Sequence, residues 1–161
     1  MFWQETMTTL APPREPSLLR RFRGASGEVL KERRLPGFVL QKVRYDEGVE
    51  FSLHCHECPY VFLVLSGCYQ ESLGGEVVES PAGALRYLPA GVSHANRFAV
   101  ETHILRVEIQ PAAMAHVHEV PWTLDGPGDI QSVPAAWLAT RLLSEFDGRD
   151  TLSHLSLGGI L

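Results

Sequence analysis

The chain has 161 residues, 45% apolar and 20% charged, which suits one domain with its own core and is too short for two of ordinary size. Its 14 lysines and arginines against 19 acidic residues give a formal net charge of −5, so no excess of cations is available to neutralise a phosphate backbone. No stretch approaches the roughly 18 apolar residues of a membrane helix, and Met1 to Gly24 nowhere offers the apolar run of a signal peptide. Cys55, Cys58 and Cys68 are too crowded to staple distant parts of the chain, and this points to a reducing, cytoplasmic home.

Residues 1–30 alternate proline, arginine and glycine without a sustained period, which predicts an arm. Residues 31–110 predict a β-domain. Short apolar or alternating runs recur there between glycine and proline breaks: Phe38 to Tyr45, Phe51 to His56, Tyr60 to Ser66 and Cys68 to Leu73. Glu76 to Glu79, Ala84 to Leu88, His94 to Ala99 and His103 to Ile109 continue the series. About eight short strands so spaced describe a small barrel or double-sheet sandwich. Gly74 and Gly75 mark a tight hairpin. Residues 111–161 turn helical. Pro111 starts a first helix; Trp137, Leu138, Leu142 and Phe146 then recur at three and four as the apolar stripe of a second, packed into the core. Asp150 or Thr151 caps a last one carrying Leu152, Leu155 and Ile160.

On a strand, His54 and His56 share a face, and their imidazoles can reach one ion. The same parity brings Cys58 and Tyr60 to that face and turns Cys55 away, so Cys55 and Cys58 are not a zinc knuckle. His94 follows the turn Pro89-Ala90-Gly91 and opens the next run as a third imidazole. Three neutral imidazoles favour Zn²⁺, Ni²⁺ or Cu²⁺ over Mn²⁺ or Fe²⁺. Cys58, Tyr60, Phe98 and His103 are expected in the ligand pocket beside them, His103 because it shares parity with Leu105, Val107 and Ile109, read as inward-facing. His116 and His118 repeat the spacing on a helix, where residues two apart diverge. Glu57, Glu71 and Glu101 fall on outward parities or turns, which leaves no interior carboxylate as a general base. No Gly-x-Ser-x-Gly elbow and no phosphate-cradling glycine loop occurs. The expectation is therefore a binding pocket and not an enzyme.

Two stretches carry a resemblance: Gly48 through His54, His56 and Tyr60 to Gly67, and Gly83 through Pro89, Gly91 and His94 to Phe98. Together they resemble the paired motifs of the cupin superfamily. This implies a mainly β fold, a jelly-roll (double-stranded β-helix) barrel with a short C-terminal helical segment. Tyr60 stands where metal-binding cupins carry a glutamate ligand, and Phe98 where the second motif usually ends in asparagine. In finer wording, His54-Cys55-His56-Glu57-Cys58-Pro59-Tyr60, then Tyr69 with Glu71, then His94-Ala95-Asn96-Arg97-Phe98 and the helical tail resemble the N-terminal sensing and dimerisation domain of AraC-type transcriptional regulators. That resemblance implies a small-molecule effector in the barrel, a metal on His54, His56 and His94, and a homodimer through the C-terminal helices. DNA would be met only through a further domain beyond Leu161, and no membrane is involved. The alternative is a free-standing cupin metalloprotein, either a small-molecule binding protein or an enzyme of dioxygenase or isomerase type.

Overall fold

The runs between Phe38 and Ile109 fold as strands close to where glycine and proline punctuate them. The computed structural model describes residues 27–117, 126–130 and 133–148. The first elements are β1 (Glu28–Leu35), β2 (Phe38–Tyr45), β3 (Glu50–His54), β4 (Tyr60–Ser66), β5 (Cys68–Leu73) and β6 (Glu76–Pro81). They are followed by β7 (Leu85–Leu88), β8 (His94–Arg97), β9 (Thr102–Ile109), α1 (Pro111–Val117), β10 (Gly128–Asp129) and α2 (Val133–Asp147). Among the described residues the strands form two antiparallel sheets, β1-β2-β9-β4-β7-β10 and β3-β8-β5-β6. The chain crosses repeatedly between them, which is jelly-roll order, and the fold is a cupin β-barrel with a short C-terminal helical part.

Strand alternation builds two cores. Tyr60, Phe62 and Val64 of β4 point between the sheets, where they join Val43, Tyr45, Tyr69, Leu88, Phe98 and Ile104. Residues of the opposite parity, with Leu40, Leu105 and Val107, pack on the outer face against Leu142 and Phe146 of α2. Sequence parity on β9 is thereby corrected. Leu105 and Val107 look outward to α2, His103 goes with them, and the inward set contains Ile104. An apolar stripe on a strand marks a buried face, and here the helix makes the outer face buried too. Trp137 and Leu138 are likewise corrected: they are 62% and 39% exposed, and the buried stripe of α2 is Ala139, Leu142 and Phe146.

The hairpin at Gly74 and Gly75 joins Leu73 to Glu76 with φ of 57° and 94°, a two-residue turn that glycine adopts without strain. Gly67 has φ of 79°, and a Cβ there would lie 2.3 Å from the Glu101 carbonyl oxygen, so this connection admits no larger residue. β1 begins at Glu28, inside the segment read as an arm, and β10 is a two-residue strand in the turn-rich stretch Asp125 to Asp129 between the helices. The last helix, His118 and His154 lie outside the described residues. No described helix is long and apolar enough to cross a membrane.

Candidate metal centre

Between Phe51 and His54, three steps on β3 span two on β8, since Phe51 pairs with Asn96 and His54 with His94. This bulge is absorbed at Ser52 and Leu53 and sets His54 directly across the ladder from His94. His56 lies past the end of β3, in the loop to β4. Its ring still comes within 5.0 Å of His54 and 5.1 Å of His94, while His54 and His94 are 4.2 Å apart. One ligand nitrogen from each of the three lies within 4.8 Å of the others. The three expected imidazoles do converge, although His56 arrives through a loop and not through shared strand parity.

Backbone carbonyls set the tautomers. Nδ1 of His54 donates to the Ser52 carbonyl at 2.8 Å, and Nδ1 of His94 donates to the Val92 carbonyl at 3.1 Å. With Nδ1 as the donor, Nε2 is the ring nitrogen left to accept a proton donor or to ligate. Tyr60 is buried on β4, and its hydroxyl donates to Nε2 of His94 at 3.3 Å. Burial, with the neighbouring rings and Arg106, lowers His56 to about 3. Burial also lowers His94 to about 4, partly opposed by the Val92 carbonyl. Burial, then the Glu71 charge, raises the Tyr60 phenol well above its ordinary value, so it keeps its proton. Three imidazoles with ligand nitrogens this close together suit a divalent transition metal.

The other expected pocket residues are scattered. Phe98 lies deep in the inner core, stacked on Tyr45 at 4.2 Å and one ring removed from His54 through Phe51. Cys58 lies in the loop before β4, its thiol raised by burial and then by Glu108 and Glu57. His103 faces away from the barrel interior and pairs with Glu101 at 3.2 Å. The structure adds two buried groups that parity misplaced or passed over. Glu71, read as outward, is 1% exposed and shares the inward face of β5 with Tyr69. Its carboxylate lies 3.6 Å from Arg86, which also bonds Ser80 and pairs with Asp129 at 3.0 Å. Tyr69 was the available signal, because an apolar neighbour two positions away shares the face. Arg106, in the middle of the outward-looking run of β9, points inward and is 8% exposed.

Fold and cluster together define a cupin β-barrel with a three-histidine site able to hold a metal ion. No family model matches the chain, and no curated protein matches it. Among solved structures it is similar to a cupin-2 domain protein from Shewanella frigidimarina, at 23% identity over 52% of this chain and 83% of that one, with a TM-score of 0.45. It is also similar to KdgF from Halomonas, at 20% identity over 52% and 80% of the two chains, with a TM-score of 0.45. Salicylate 1,2-dioxygenase from Pseudoaminobacter salicylatoxidans, solved with gentisate, matches at 19% identity over 52% of this chain and 23% of that one, with a TM-score of 0.45. The expectation of a barrel without catalysis is corrected here. The barrels it is similar to include an enzyme, and the interior read as free of carboxylates contains Glu71.

Proposed function

We propose that the barrel holds one divalent transition-metal ion, Zn²⁺, Ni²⁺ or Cu²⁺, on His54, His56 and His94 and takes a small molecule beside it, as the effector-sensing and dimerising part of an AraC-type regulator. The convergence of three ligand nitrogens within 4.8 Å carries the metal half of this reading. A bound ion would act as a Lewis acid toward an oxygen or nitrogen of the ligand. The chain's own residues do the rest: the Ser52 and Val92 carbonyls hold two rings in one tautomer, and Tyr60 holds a proton at its hydroxyl oxygen. The regulator half is supported by the residue run from His54 to Gly67, by His94 to Phe98, and by the exposure of Trp137 and Leu138 on α2 as a surface for a second copy. An effector can shift such a dimer only by its difference in affinity for two states.

Elemental analysis of tag-free protein purified without added metal tests the first half. About one equivalent of transition metal is expected, lost in His94→Ala; less than about a tenth of an equivalent overturns it. For the second half, the reading frame is expected to run past Leu161 into an arginine-rich helix-turn-helix region, and a stop codon there overturns it. A monomeric mass by light scattering at tens of micromolar overturns the dimer.

A second reading, a catalytic cupin of dioxygenase or isomerase type, is favoured by Glu71, a carboxyl raised by burial against the pull of Arg86. Turnover of a small substrate that is lost in His54→Ala and in Glu71→Gln, both shown folded by circular dichroism, would decide for it.

A further inference from the structure

Two arginines are buried in the barrel, and they are treated differently. Arg86 is compensated by Glu71 and Asp129 at 3.6 and 3.0 Å. Arg106 is only 8% exposed, and among the described residues no carboxylate pairs with it. Its Nη2 donates to the neutral Gln41 Oε1, and its Nε is buried without a hydrogen-bond partner. Glu32 feels the Arg106 charge but makes no bond to it, because its carboxylate is held by Arg34 at 2.7 Å and by Gln41 Nε2 at 2.6 Å. A buried guanidinium with no carboxylate bonded to it is expensive, and the open Nε with one adjacent Nη is the edge that grips a carboxylate side-on.

Arg106 also faces the metal centre. Its guanidinium carbon lies 6.0 Å from the centre of the Tyr60 ring, whose hydroxyl is 3.3 Å from Nε2 of His94 and whose ring is 4.9 Å from His56. Tyr60 thus separates a cationic end from a three-imidazole end, and no carboxylate belongs to the histidine cluster among the described residues. We infer that Arg106, positioned by Gln41, is the anion end of a ligand subsite facing the three histidines, and that its ligand is a small monocarboxylate. This deepens the small-molecule reading above and rests on it for the metal end alone. One buried guanidinium neutralises a monocarboxylate in full, whereas a phosphate dianion would leave a second negative charge buried and unpaired.

Calorimetric titration with benzoate, benzamide and inorganic phosphate, before and after treatment with a chelator, tests the inference. Benzoate is expected to bind at least about tenfold tighter than its neutral isostere benzamide. Arg106→Gln should weaken benzoate by about ten- to a hundredfold and leave benzamide unchanged, and Arg106→Lys should recover part of the loss. Benzoate affinity in Arg106→Gln within about twofold of wild type, benzamide equal to benzoate, phosphate tighter than benzoate, or no heat from any probe at millimolar concentration each overturns it. If circular dichroism shows Arg106→Gln unfolded, the wild-type comparison and Arg106→Lys decide. Benzoate binding that persists after chelation supports the Arg106 subsite by itself, whereas failure of the metal reading shows as absent metal in the untreated protein.

Discussion

Tyr60 is a phenol that keeps its proton, because burial and the nearby Glu71 both oppose ionisation. Its hydroxyl donates to Nε2 of His94, the same lone pair that an ion would take. Hydroxyl and metal therefore compete for one atom. Tyr60→Phe should tighten metal binding, measured by competition with a chromophoric chelator, while the metal-free protein loses about 1 kcal/mol of stability to urea. Weaker metal binding in this variant would mean instead that the phenol ligates the ion. His54, His56 and His94 were readable in the sequence because spacing and the Pro89-Ala90-Gly91 turn restrict where imidazoles can go. Arg106 was not readable, since nothing in an alternating strand says which buried face is the interior once a helix covers the other.

That ambiguity belongs to whole elements. β2, β4 and β5 begin and end where their apolar runs do, since turns bound them and at least one face is packed. β1 escaped notice because it is an edge strand, mostly exposed and rich in charge, and so shows no alternation. The bulge in β3 was invisible for a similar reason: register is a property of two strands together, and one strand's spacing does not record it. α2 is what closes the outer face. Phe146 is fully buried under it, with Lys31 Nζ 5.0 Å above the ring. Phe146→Ala should cost about 3–5 kcal/mol in urea denaturation and leave metal content unchanged, because the lost contacts lie on the opposite face of the sheet from the histidines. The two sheets are also tied across the interior, from Glu71 on β5 to Arg86 on β7. Glu71→Gln leaves that guanidinium with Asp129 alone and should cost about 1–3 kcal/mol. Adding Arg86→Met should recover much of it; a double variant no better than additive would show that the two groups are not coupled.

At the scale of the whole molecule, the histidines couple stability to pH through the metal. In the metal-free fold His56 and His94 are held at about 3 and about 4, against an ordinary value of 6.5. Below pH 6.5 the unfolded chain therefore binds protons that the native one refuses, so the stability from these neutral rings is present above that pH and is lost as pH falls toward their folded values. Each unit of separation is worth at most about 1.4 kcal/mol per ring, less for the half-buried His56. Glu71 works the other way: its raised carboxyl makes the native state bind more protons just above pH 4.5, which partly offsets the histidines there. A bound ion adds to the native side only, by about 4 kcal/mol when free metal is a thousandfold above its dissociation constant. Because protons do not compete for these nitrogens in the native state until about pH 4, the metal-loaded protein should hold its melting temperature to lower pH than the metal-free one. Melting curves of chelated and metal-loaded protein between pH 7 and about 4.5 check this. The chelated curve should fall with acidification, and His56→Gln should flatten it. A chelated protein that gains stability on acidification would show that the cluster is already protonated in the fold, and with that its neutrality, on which metal binding depends, would be lost.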